Sequence, residues 1–190
     1  MSVEIILASG SPRRRELLAK MGVTFEIVTA EVEEHMPPET GDAPKLASQN
    51  ALLKARAVSQ LHPDRWILGA DTIVVLGVRV LGKPPTLEAA HAYLAALSGQ
   101  THAVITGCCL IAPSGAANVF FYTSHVTFHD LSPEIISKYL AAVHVLDKAG
   151  AYALQEHGDW LVERIEGSRD NILGLPTERL GQVFNRAGLL

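Results

Sequence analysis

Short apolar runs alternate with helix-period segments along this chain, and that alternation excludes an all-helical or an all-strand fold. Residues 3–8, 25–29 and 66–70 read as strands, the last ending at Asp71. Residues 72–76 and 79–81 flank Gly77-Val78 and read as a hairpin. Residues 102–112 and 118–129, joined by Pro113-Ser114-Gly115, make the best antiparallel pair, and 152–155 and 160–165 look extended. Helices are expected over 12–21, 43–61, 86–97, 133–142 and 176–187. Ser11-Pro12 and Ser132-Pro133 each put a hydroxyl at N-cap and a proline at N1, and Gly22 and Gly99 stand just past helix ends. Ala47, Ala51, Val58 and Leu61 share one face of the second helix, with Lys54 on the same face. Residues 30–42, acidic and proline-containing, read as a loop. No linker, repeat or low-complexity segment divides the 190 residues, so one domain is expected over 1–190: a mixed α/β fold with a central sheet. A chain of this length buries about 70% of its unfolded surface and needs no staples.

Lys and Arg number 16 against 20 Asp and Glu, a formal net charge of -4. Non-specific duplex binding relies on excess positive charge, so a nucleic-acid duplex is a poor partner. Any anion must instead meet a local basic cluster. Cys108 and Cys109 are adjacent on an expected strand and point to opposite faces; they form neither a disulfide framework nor a zinc knuckle and read as reduced core thiols. No apolar run reaches the roughly 18 residues of a bilayer span, and the N-terminus lacks a signal-peptide core. A soluble, cytoplasmic protein is expected.

The strongest local chemistry is Ser9-Gly10-Ser11-Pro12-Arg13-Arg14-Arg15, which follows a strand and opens a helix. Free backbone N–H groups and the positive end of the helix dipole favour an anion there. Gly10 permits close approach of a phosphate, and Arg13 and Arg14 can add bidentate contacts. Three consecutive cations in a first turn oppose the dipole, which a simple solvated helix start leaves unexplained. The spacing is not that of a P-loop. Lys54 on an apolar helix face needs a partner or must snorkel to solvent. Asp71, in Gly69-Ala70-Asp71-Thr72, can hold a metal or accept a proton, or merely cap a strand end. Lys83 sits in the proline-fixed turn Gly82-Lys83-Pro84, and Glu34 lies in the acidic loop. His125 and His129 read as structural or exposed. Cations, carboxylates and a helix N-terminus together suit a metal-bound polyphosphate.

These residues resemble the Maf family of nucleoside triphosphate pyrophosphatases, collinearly over nearly the whole chain. The matching pieces are Leu7 to Arg14, Lys54-Ala55, Gly69 to Thr72, Gly82-Lys83-Pro84, Leu97 to His102, Thr106-Gly107, Asp147 to Tyr152 and Gly174-Leu175-Pro176. The resemblance implies an elongated mixed sheet with two lobes around a cleft, similar to the inosine triphosphatase (Ham1-like) fold. It implies hydrolysis between the α- and β-phosphates with a divalent cation, Mg or Mn, in a homodimer. Asp71 matches the proton acceptor, and Ser9, Gly10, Ser11, Arg13, Arg14, Lys54 and Lys83 match phosphate-binding and catalytic positions. Glu34 matches the acidic loop residue and, with Asp71, would hold the metal. Arg13, Thr72 and Gln155 match positions that separate subgroups. Their identities resemble the subgroup acting on dTTP and UTP, with Thr72 and Gln155 facing the pyrimidine edge. Two departures are Glu156, where the family often has Gly, and Ser168-Arg169-Asp170, in place of an acidic-aromatic stretch. The alternatives left open are a pyrophosphatase for 7-methyl-GTP or other non-standard purine triphosphates, and a nucleotide-binding regulator of cell division without turnover.

Overall fold

The computed structural model describes residues 5–29, 31–35 and 42–190. Its elements are β1 (Ile5–Leu7), α1 (Pro12–Lys20), β2 (Phe25–Ile27), α2 (Ala43–Ser59), β3 (Trp66–Leu76), β4 (Arg79–Leu81), α3 (Leu87–Leu97), β5 (Thr101–Ile111), β6 (Ala117–Phe128), α4 (Pro133–Ala142), β7 (Val162–Glu166), α5 (Arg169–Ile172) and α6 (Thr177–Ala187). Short 3₁₀ turns lie at Ala149–Ala151 and Gly158–Trp160. The sheet runs β2-β1-β3-β5-β6-β7, with β4 beside β3. β1 is parallel to β2 and β3, and the other pairs are antiparallel. No helix among the described residues is long and apolar enough to cross a membrane.

The local start signals act as their chemistry dictates. Ser11 and Ser132 each accept the backbone N–H three residues on, with proline in the first turn, and Asp42 caps α2 by accepting from Lys45 N. α2 covers one face of the sheet, over Ile67, Ile73, Val75, Ile105 and Cys109. On the opposite face α1 and α6 pack over Leu68, Ala70, Cys108 and Leu110. Further along that face α3 and α4 pack over Val74, Val104 and Val126. Each fully buried Leu or Phe in these layers contributes about 1.5–3 kcal/mol. Cys108 and Cys109 do fall on opposite faces, and burial pushes both thiols up to about 12. They are inert core groups at neutral pH.

Several sequence expectations are corrected. Asp71 does not end a strand: β3 pairs without interruption with β5, from Ile67↔Ile111 to Val75↔Ala103. Residues 152–155 form no strand, because positive φ at Ala151 and His157 brackets them and turns the chain. Leu61 lies beyond the end of α2 and is 74% exposed. The sequence reading missed α5, whose N-cap is Ser168. The strand expected over 118–129 ends at Phe128, so His129 lies past it.

His102 is buried against Phe128 and Tyr152, with Nε2 2.8 Å from Tyr152 Oη. Burial, aided by nearby His125, pushes its pKa down from 6.5 to about 4. The unfolded chain therefore binds the extra proton between those values, so this group's contribution to stability is complete above pH 6.5 and is lost as pH falls towards 4. Urea titration across that window is expected to show a loss on the order of 3 kcal/mol from this residue, reduced in His102→Gln.

Candidate active site

The two edges of β3 are covered differently. β5 lines one edge from Ile67 to Val75, while the other pairs with β1 at Trp66–Leu68 and with β4 at Val74–Leu76. Between them, residues 69–73 carry no strand on that edge among the described residues. The chain leaves β1 into Ser9-Gly10-Ser11 and leaves β4 into Gly82-Lys83, so both loops depart at the rims of this gap. Asp71 is at its centre.

On the α2 face, Lys54 Nζ is 2.7 Å from Asp71 Oδ1 and 2.9 Å from Glu34 Oε1. Asn50, one turn earlier on α2, donates Nδ2 to Asp71 Oδ2 at 3.2 Å. The same amide exchanges two hydrogen bonds with the backbone of His35, accepting at 2.8 Å and donating at 3.2 Å. Asn50 thereby fixes the loop that presents Glu34. Lys54 keeps 12% of its side-chain surface and Asp71 8%, whereas Glu34 keeps 42%, so the cluster meets solvent through Glu34. The apolar-face lysine is thus partnered rather than snorkelling. Removing one partner from such a buried pair costs about 3–5 kcal/mol when the other charge is left alone.

On the opposite face, Arg14 leaves the first turn of α1 and binds three separate segments. Its Nε donates to Gly174 O at 2.9 Å, Nη1 to Ser9 Oγ at 3.1 Å and Nη2 to Thr72 Oγ1 at 3.0 Å. Thr106 Oγ1 lies 3.0 Å from Thr72 Oγ1 and donates to Asn171 O at 3.0 Å. With that proton spent, Thr106 can only accept, so the chain of donors runs Arg14 to Thr72 to Thr106 to Asn171 O. The Thr72 hydroxyl proton is committed within the protein. Burial lowers the pKa of the Arg14 guanidinium, and Asp71 is the largest opposing influence. The guanidinium nonetheless stays charged at neutral pH. This fixed geometry accounts for a cation in a helix first turn, where the dipole alone disfavours it.

Ser11 serves as the α1 cap, and its own N–H lies 3.3 Å from Ser9 Oγ. Gly10 is exposed beside them. Arg13, Lys83 and Gln155 make no hydrogen bond or ion pair among the described residues, and Lys83 and Gln155 are exposed. The departure at Ser168-Arg169-Asp170 has a supporting role: Ser168 caps α5 and Thr177 Oγ1 donates to Asp170 Oδ2. That holds the segment whose Gly174 carbonyl receives Arg14. Sequence reasoning missed Asn50, although it stands four residues before Lys54 on the same helix face. It also gave Thr106 and Asn171 no role.

The described residues contain no cluster of three or more His, Cys, Asp or Glu suited to a metal. Two carboxylate oxygens do converge on one cation, the Lys54 ammonium. That donor set fits a Mg²⁺-type ion, which takes one or two carboxylates and completes its shell with water and phosphate oxygens.

A sheet-edge gap flanked by a helix N-terminus, with cations and carboxylates converging on it, defines an α/β protein with a site suited to a phosphate-bearing ligand. The fold is shared with the Ham1 proteins of Staphylococcus aureus and Coxiella burnetii, each at 16% identity and TM-score 0.53, covering 97% of this chain and 99% of theirs. The chain belongs to the Maf-like protein family, whose family model matches residues 4–187. Similar relatives include a dTTP/UTP pyrophosphatase from Moorella thermoacetica, 47% identical over 95% of this chain and 93% of that protein. A dTTP/UTP pyrophosphatase from Akkermansia muciniphila is 43% identical over 97% of this chain and 96% of its own length.

Proposed function

We propose that this chain is a nucleoside triphosphate pyrophosphatase that hydrolyses dTTP and UTP to the monophosphate and pyrophosphate. The observation that carries the reading is the meeting of Asp71 and Glu34 on Lys54 within the β3 gap, beside an anchored Arg14. Relatives named for this activity, alike over nearly the full chain, support the substrate class.

In the free site Lys54 and Arg14 balance Asp71 and Glu34. A triphosphate adds several negative charges, so further cations are required. Arg13 and Lys83, which have no ion-pair partner among the described residues, supply part of that charge. A divalent cation held by Glu34 and Asp71 would supply the rest and polarise the phosphates as a Lewis acid. Phosphate oxygens compete with the carboxylates for the Lys54 ammonium. That frees an Asp71 oxygen to take the proton of a water attacking the α-phosphorus. The bond from the α-phosphorus to the bridging oxygen breaks, and the basic side chains stabilise the departing pyrophosphate. Gln155 meets the pyrimidine edge. The protein acts in the cytoplasm as a homodimer.

A panel of nucleoside triphosphates, with both products identified by chromatography, tests the reading. dTTP and UTP are expected to give monophosphate and pyrophosphate in equal amounts, and chelating the divalent cation is expected to stop release. Nucleotide binding with no pyrophosphate formed, metal present, would sink it.

A further inference from the structure

We propose that Lys148 and Glu156 are positioning residues for base selection: their ion pair holds the loop that carries Gln155. The inference rests on Gln155 reading the base, as proposed above. Lys148 keeps only 6% of its side-chain surface, and a buried ammonium needs partners for its three protons. It donates to His144 O at 2.5 Å and to Asp147 Oδ1 at 3.0 Å, and forms an ion pair with Glu156 Oε1 at 3.5 Å. The first two come from its own segment, but Glu156 comes from the loop beyond the 3₁₀ turn. The carboxylate that stands in place of the family's frequent Gly therefore has a partner here.

The loop has a second anchor on the other side of Gln155. Tyr139 Oη accepts from Ala153 N at 2.9 Å and donates to Ala153 O at 3.3 Å. Gln155 lies between the anchored Ala153 and the anchored Glu156, and among the described residues its own side chain makes no hydrogen bond. The segment holding Lys148 also reaches the phosphate side of the site. Gly150 N donates to Gly82 O at 3.1 Å, just before Lys83. Gly150 has φ +70°, and a Cβ there would meet Val74 at 3.0 Å, so glycine alone fits this contact without strain. One short segment thus ties the Gln155 loop to the Lys83 turn. Discrimination by hydrogen bonds needs the reading group held to a fraction of an ångström, and a slack loop weakens it.

The test compares kcat/KM for dTTP and for GTP in the wild-type protein, Glu156→Ala, Glu156→Gln and Gln155→Ala. Glu156→Ala is expected to reduce the dTTP-to-GTP ratio about fivefold, through a raised KM for dTTP with kcat little changed. Glu156→Gln keeps an oxygen for Lys148 and is expected to recover most of the ratio. A merely structural pair would lower the melting temperature and leave the ratio where it was. An unchanged ratio in Glu156→Ala, with the ratio collapsed in Gln155→Ala, overturns the positioning role and leaves the pyrophosphatase reading standing. A wild-type protein that cleaves neither nucleotide, or a Gln155→Ala variant with an unchanged ratio, overturns the positioning role together with the reading of Gln155.

Discussion

Asp71→Asn is expected to lower turnover about 10²–10⁴-fold, the range a positioned general base supplies, with the fold retained. The amide has the shape of the carboxylate, and its oxygen still accepts from Lys54, while its NH₂ replaces the oxygen that accepted from Asn50, a local loss of about 1 kcal/mol. The ammonium also keeps Glu34 at 2.9 Å, so no buried charge is left alone. What disappears is the basic oxygen that takes the water proton. The amide oxygen can still take Lys54 or a divalent cation, so the larger part of the effect should fall on kcat and only a smaller part on KM. Pyrophosphate release at saturating dTTP measures it, with a urea midpoint on the same sample to verify folding. Turnover near the wild-type level would remove Asp71 from the base role. A raised KM with kcat intact would make it a binding group instead.

The site was legible in sequence where local rules or collinear motifs applied, and illegible where distant segments meet. Ser11-Pro12 announces a helix start, and Lys54 stands out because a cation on an apolar face must find a partner or reach solvent along its stem. The partner's identity needed the fold, since Asp71 looks like a strand end until the ladder to β5 shows it mid-strand. Asn50 was within reach of local reasoning: on a helix, residues four apart share a face, so a polar side chain at 50 joins Lys54. No local pattern joins Arg14 to Gly174, which are 160 residues apart. Residues 152–155 were misread as extended because apolar composition cannot reveal the positive φ of Ala151 and His157, which turns the chain. Parts of the acidic loop, residues 30 and 36–41, lie outside the described residues.

Gly107→Ala is expected to damage both stability and catalysis, though it adds one methyl group. A Cβ at 107 would stand 2.3 Å from the carbonyl carbon of Ala47, 2.4 Å from its oxygen and 2.5 Å from Ser48 N. All three are backbone atoms of α2, so no rotamer change relieves the clash. Gly69 repeats the situation, with a Cβ 2.3 Å from Ala51 O. Two glycines on adjacent strands face Ala47, Ala51 and Ala55 on the helix, and all three alanines are fully buried. The smallest residues thus meet on both surfaces and let α2 lie unusually close to the sheet. That closeness lets Asn50 and Lys54 touch Asp71, and Gly107 is the residue paired with Asp71 across the ladder. The added methyl must push α2 outward at that level. We expect a loss of about 3 kcal/mol by urea titration, the upper end for an overpacked core. Turnover should fall about 10²-fold even at temperatures where the variant is fully folded, because a misplacement near one ångström has that effect on a positioned site. Gly82→Ala, where a Cβ meets nothing within 4 Å, is the matched control for stability, expected to change it by less than about 0.5 kcal/mol. If Gly107→Ala matched that control, close seating of α2 could not be what brings Lys54 to Asp71, and the link from small residues to catalytic geometry would fail.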